Sequence, residues 1–296
     1  MHRNAYLLLI LTTLFWGGNA VAGKLAVGHI SPMLLTTIRW GLAMTVLLVI
    51  GRARLKHDWP VVRRHLWLLT ALGGLGFTVF NMALYTALIY TTAINASIEQ
   101  AGMPMLIFAA NFLLFRLQVT WAQIVGFVLS VVGIIFTATH GEPQRLLELD
   151  VNFGDALMLI AVLVYSAYTV ALRFKPAIHW QSLMIMLTGT AFVTSVPFAV
   201  AEFWTGNAIV PDGQGWAIVL FTVVFPSLLA QIFYIRGVEL IGANRAGLFI
   251  NLVPIFGTLL SIVILGEDFH LYHAVAMALV LGGIGLAEHS GRKMAG

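Results

Sequence analysis

The chain has 296 residues, of which 60% are hydrophobic and 9% charged, and it contains no cysteine. So few charges cannot cover a water-soluble surface, for which about a quarter is usual, and a net charge of +4 scattered between apolar runs does not mark a nucleic-acid binder. Without cysteine, disulfides, thiolate metal sites and cysteine nucleophiles are excluded.

A membrane span needs about 20 mostly apolar residues, and the chain offers ten such runs in succession. The first, 5–27, is too long for the apolar core of a signal peptide and reads as a retained helix carrying Trp16, Asn19 and Lys24. The second, 32–51, contains Arg39, the only Lys or Arg deep in a span. The third, 66–90, has Asn81 and Tyr85 four apart and so on one helix face. The fourth, 93–115, contains "ASIEQAGMP", which places Glu99, Gln100 and Pro104 in an otherwise apolar run. The fifth lies at 120–139, the sixth (153–173) carries Tyr165 and Tyr168, and the seventh lies at 180–203. Gln231 and Tyr234 share a face of the eighth (216–239), Asn251 and Pro254 fall in the ninth (243–265), and the tenth lies at 270–288. The runs do not alternate polar with apolar residues, which excludes a β-barrel. The expected fold is all-α and integral to the membrane.

With the N-terminus in the cytoplasm, 13 Lys and Arg fall in inner segments and only Lys24 and Arg145 in outer ones. Both termini are therefore expected to be cytoplasmic, in a multi-pass protein of a bacterial inner membrane. Shifting the chain by 150 residues brings Asn81 onto Gln231, Ala96 onto Ala246, Pro104 onto Pro254 and Gly133 onto Gly283. Near the start the offset is 149, with Trp16 on Tyr165, Asn19 on Tyr168 and Lys24 on Arg173. The reading is a first five-helix repeat at 1–140, a connecting loop at 141–152 and a second repeat at 153–296. An odd number of spans per repeat inverts the second, and inverted repeats place a substrate site near the membrane midplane between them.

Trp16-Gly-Gly-Asn19 followed by Lys24, Ala96-Ser97 ahead of Pro104, Gly266-Glu267 after the ninth span and Gly282-Gly283 in the tenth resemble the motifs of the EamA family of drug/metabolite transporters. The resemblance covers the whole chain and departs where the family has a second Gly-Glu, here Phe115-Arg116. It implies ten helices in two inverted five-helix repeats, a central cavity open to one side at a time, and export of metabolites, with amino acids, aromatic ones included, as the leading cargo.

On the residues themselves, Trp16, Asn19, Asn81, Tyr85, Glu99, Gln100, Tyr165, Tyr168, Gln231, Tyr234 and Asn251 form a candidate substrate pathway. Aromatic walls and amides suit an amphipathic zwitterion. Arg39 and Glu99 lie at similar depth and are a candidate ion pair; Glu99 is also a candidate for proton coupling. Pro104 and Pro254 are expected to kink the fourth and ninth helices and to let them bend as the cavity opens. Small residues at Ala122, Gly126 and Ser130, and at Ala274, Ala278 and Gly282, read as internal packing, so a monomer is expected over a dimer.

Three features lead elsewhere. "GNAVAGKL" (18–25) nearly matches a phosphate-binding loop but ends in Leu25, lacks the hydroxyl for magnesium and lies in an apolar helix. "HLYH" (270–273) has two histidines but no further ligands and is assigned to the outer interface. An intramembrane enzyme lacks a nucleophile with its base, and a channel would use rings of repeated groups. Neither a cofactor nor a metal is expected. Sugar phosphates, nucleotide sugars and drug cations are the alternative cargoes.

Overall fold

A computed structural model describes residues 2–116, 120–142 and 152–295, with side chains omitted at 2–3, 243–244 and 288–295. The expected connecting loop, 141–152, and Arg145 lie mostly outside the described residues. The described chain forms ten helices: α1 (His2–Leu25), α2 (Pro32–Val62), α3 (Leu66–Tyr90), α4 (Ala93–Phe115), α5 (Trp121–Ala138), α6 (Phe153–Phe174), α7 (Trp180–Trp204), α8 (Gly213–Ile241), α9 (243–265) and α10 (Leu271–Ala295). Among the described residues nine helices are long and apolar enough to cross a bilayer, and α10 adds the shorter apolar stretch Leu271–Ala287. The all-helical reading holds because hydrocarbon offers no partner for a peptide group, so each span satisfies its backbone internally. Val49, Leu113 and Val263 are exposed on the outside, where lipid is their solvent.

α2 runs to Val62, beyond the expected end at 51. The added turns hold Arg52, Arg54 and Lys56, which are exposed and are good helix formers, so the helix continues past its apolar stretch. Asp58 in this extension accepts a hydrogen bond from the His179 amide at the start of α7 (2.9 Å). Carboxylates satisfy other helix starts too. Glu202 on α7 accepts from Ser31 Oγ (2.6 Å) and from the Met33 and Leu34 amides (3.3 and 3.1 Å) at the start of α2. A carboxylate there meets unpaired amides and the positive end of the helix dipole.

Irregular backbone recurs in both halves. α3 contains a π-helical stretch at Gly74–Val79 and α8 another at Val223–Leu229. α4 is interrupted at Ala101–Gly102 and resumes as Met103–Phe115, with Pro104 in the new first turn. α9 passes through a 3-10 stretch, Leu248–Leu252, and resumes at Val253 with Pro254 in the first turn. The prolines thus do not bend continuous helices, as the sequence alone led one to expect. They start new segments just after a break, where a missing amide hydrogen costs nothing.

The main helix pairings are kept when the first five helices are exchanged with the last five. α1 packs on α8 and α9, and α6 packs on α3 and α4; α2 pairs with α7, and α5 with α10. The α5 stripe is the expected one, with Gly126 and Ser130 buried. On α10 the register differs: Ala276, Val280, Gly283 and Ala287 are buried, while Gly282 and Ala278 are exposed. Spacings of four, three and four keep one face toward α5, and a face through Ala274, Ala278 and Gly282 points away. Gly126 and Gly283 each meet the other's carbonyl oxygen where a side chain would begin. Gly283→Leu is expected to lower the unfolding free energy by about 1–3 kcal/mol, whereas Gly282→Leu changes it by less than about 0.5 kcal/mol. Thermal melting in detergent of the two variants side by side checks this.

Candidate functional site

Arg39 is the centre of a polar hub. Its Nε donates to Ser227 Oγ (2.8 Å), and its Nη1 donates to Asn19 Oδ1 and Asn81 Oδ1 (both 2.9 Å) and to the Tyr85 hydroxyl. The Tyr85 hydroxyl donates in turn to Asn19 Oδ1 (3.1 Å), and the Asn81 amide donates to the Phe77 carbonyl (2.7 Å). One side chain thereby ties α1, α2, α3 and α8 together. Both halves of the chain contribute, and all five residues are buried. The guanidinium also lies over the Trp40 ring, 4.6 Å from its centroid. Ser227 sits in the π-helical stretch of α8, whose widened turn also lets its hydroxyl donate to Thr222 O (2.7 Å). Sequence reading missed Ser227, because a lone serine in an apolar run carries no signal.

Aromatic rings extend from the hub. Trp40 stacks on Phe77 (4.6 Å between centroids), Phe77 meets Tyr168 edge-on (5.8 Å), Tyr168 meets Tyr165 (5.4 Å), and Tyr165 meets Phe80 (4.7 Å). Across from these, Trp16 packs on Tyr234 (5.4 Å) and donates its indole hydrogen to the Pro226 carbonyl (3.3 Å). Of the other expected pathway residues, Gln231 and Asn251 are half-buried. Gln100 is half-buried as well and donates to the Ala96 carbonyl of its own helix (3.1 Å).

The expected ion pair is absent. Both Glu99 carboxylate oxygens are buried without a hydrogen-bond partner, and Arg39 is taken up by the hub. The reason is topological: α2 packs chiefly on α7 and meets α3 and α8, with no comparable contact to α4. Nor does Glu99 line an open path in this conformation, since it is 0% exposed. It lies one turn beyond Asn95, on the same helix face.

That face leads to a second polar cluster. The buried Asp155 on α6 accepts from the Thr91 hydroxyl and from the Asn95 amide (3.4 Å to each oxygen), and His140 lies 4.0 Å away. His273 is 1% exposed and bonds Asn95 Oδ1 through Nε2 (3.0 Å), while its Nδ1 accepts from the His270 amide (3.0 Å). The assignment of "HLYH" to a solvated interface therefore fails for His273, which faces the bundle. Asp155, at a helix start, looks in sequence like a mere first-turn acid.

The same end of the molecule holds a clamp on the α3–α4 connection. Lys24 Nζ donates to the last carbonyls of α3, Leu88 O (2.9 Å) and Thr91 O (2.6 Å). Glu267 accepts from the first amides of α4, Ala93 N (2.8 Å) and Ile94 N (2.9 Å). Asn152 adds a bond to Tyr90 O (3.1 Å). A cation at a helix C-terminus and an anion at an N-terminus both match the helix dipoles. Among the described residues the clamp has no counterpart in the second half. Arg173, the counterpart of Lys24, instead lies over the Phe115 ring (3.6 Å), and Phe115-Arg116 replaces a second Gly-Glu.

Comparison with known proteins shows the family. The model of the EamA-like transporter family matches residues 3–139 and again 152–287. The chain is 27% identical over 281 residues to the uncharacterized transporter YetK of Bacillus subtilis (strain 168), covering 95% of this chain and 85% of YetK. It is 24% identical over 288 residues to the uncharacterized transporter YyaM of the same organism, covering 96% and 93%. A solved protein structure superimposes with a TM-score of 0.65 at 21% identity, covering 99% of both chains, which supports the fold alone.

The cysteine-free background makes the clamp testable. Ser97, buried just behind it, is replaced by Cys as a reporter and labelled with a membrane-impermeant maleimide. Glu267→Gln removes a charge-assisted bond pair, and labelling is expected to speed up about tenfold. Unchanged labelling would show that Glu267 does not hold this face shut.

Proposed function

We propose that this chain, which belongs to the EamA-like transporter family, exports small neutral amphipathic metabolites, foremost amino acids including aromatic ones, by alternating access. That it is a multi-pass membrane transporter follows from the family; the cargo, direction and mechanism are our reading. One observation carries it: a polar hub and aromatic walls meet between the two halves, while among the described residues one face of the bundle is clamped. The hub offers hydrogen-bonding groups to a zwitterion and the rings offer apolar area to its side chain.

By the distribution of Lys and Arg, the face bearing the termini is cytoplasmic and the clamped face external, in a bacterial inner membrane. Substrate enters from the unclamped cytoplasmic side. The breaks before Pro104 and Pro254 act as hinges, the clamp opens, and substrate leaves. The working unit is taken as a monomer, and the carrier needs no cofactor. Arg39 is the one Lys or Arg deep in the spans, which disfavours sugar phosphates and nucleotide sugars, whose charge would need more cations. Drug cations are disfavoured by the same buried positive charge.

Glu99 is the candidate proton carrier. A carboxylate buried without a partner is tolerated only if it takes up a proton or a cation, and its release would accompany each cycle. In proteoliposomes, counterflow of a panel of amino acids is expected to be fastest for aromatic and large apolar ones. A pH gradient is expected to stimulate transport, and Glu99→Gln to remove that stimulation while leaving counterflow within about threefold. Absence of transport for every amino acid would overturn the cargo; stimulation that survives Glu99→Gln would remove Glu99 from the coupling.

A further inference from the structure

Arg39 is a buried cation without an anion. The residue is 4% exposed. All its acceptors are neutral: a serine hydroxyl, two amide oxygens and a tyrosine hydroxyl. Among the described residues no carboxylate lies within ion-pair distance of it. The two buried carboxylates of the bundle are placed elsewhere, Asp155 held by Thr91 and Asn95 and Glu99 sealed off. Moving a guanidinium out of water is unfavourable, and neutral acceptors offset that only in part.

The donors are unequally used. Nη1, with two hydrogens, is shared among three acceptors, and Nε serves one. Nη2, also with two hydrogens, makes no hydrogen bond among the described residues and is not among the fully enclosed polar atoms lacking a partner, so it is reachable from a neighbouring space. The hub thus fixes the guanidinium from behind and leaves one edge presented. The adjoining surface is aromatic, through Trp40, Phe77 and Tyr168.

We propose that Arg39 reads the carboxylate of the substrate through Nη2. This makes it the residue that separates amino acids and other monocarboxylates from the corresponding amides, esters and amines. A carboxylate there supplies the missing charge and accepts a charge-assisted bond, about twice as strong as a neutral one. One guanidinium balances one negative charge, so the preferred group is a single carboxylate. The fixed orientation adds selectivity, because Asn19, Asn81, Tyr85 and Ser227 hold the fork before ligand arrives. The proposal rests on the transport reading for its setting, but the site it assigns is a binding site and is tested by binding.

The test measures thermal stabilisation of the purified protein by phenylalanine, 3-phenylpropionate and phenylalaninamide. In the wild type both carboxylates are expected to bind at least about tenfold more tightly than the amide, the size of a lost charged hydrogen bond. Arg39→Gln is expected to bring the three within about threefold of one another, and Arg39→Lys, which keeps the charge but loses the planar fork, to fall between. Equal binding of acid and amide to the wild type overturns the proposal without any variant. So does an Arg39→Lys or Arg39→Gln protein that weakens all ligands alike, which is what a purely structural hub predicts. Carboxylate-selective binding that depends on Arg39, without amino-acid transport in liposomes, supports the site and instead overturns the proposed function.

Discussion

Hydrocarbon gives polar groups no partner, and the whole structure answers to that constraint. A peptide group, a helix end or a charged side chain within the spans must find its partner in the protein or go without. The consequences are visible at each scale. Segments are helical throughout. Helix starts are met by Glu202, Glu267 and Thr92, and the last carbonyls of α3 by Lys24. Where the backbone departs from α-geometry in the π-helical stretches of α3 and α8 and the breaks of α4 and α9, it does so at matching places in the two halves.

The same constraint makes the buried charges informative. Asp155 is enclosed by hydroxyl, amide and nearby imidazole, and Lys24 and Glu267 are spent on helix ends. These groups account for themselves structurally. Arg39 and Glu99 do not, one having only neutral partners and the other none. They also sit in different compartments of the bundle, the hub of α1, α2, α3 and α8 against the α4 interior beyond Asn95. Under the proposed function, a carrier of a zwitterion and a proton has use for two such groups kept apart, since a direct salt bridge would neutralise both.

The clamp gives the bundle a direction that its internal symmetry does not. The main helix pairings are common to both halves, yet among the described residues it is the α3–α4 connection that is held by a Lys on one side and a Glu on the other. Arg173, the sequence counterpart of Lys24, turns instead to Phe115. Two nearly equivalent halves with unequal capping favour closure at one face, which is the bias a carrier needs if its resting state is to face a single compartment.

By itself the sequence determined the number of the spans and most of their limits, α2 excepted, because apolar length is a one-dimensional property and the bilayer reads it directly. It also located the irregular points, since Pro104 and Pro254 recur at one offset, and it singled out Asn19, Asn81 and Tyr85 by their polarity. Which polar groups meet was decided only by tertiary structure. Arg39 and Glu99 match in depth, but depth says nothing about azimuth, and α2 turns its arginine toward α1, α3 and α8. The packing face of α10 likewise depends on rotation about the helix axis, which chose Gly283 over Gly282. Ser227, Asp155 and His273 were illegible for the same reason: each gains its role from a partner more than 50 residues away in the chain, brought near by packing that no local pattern encodes.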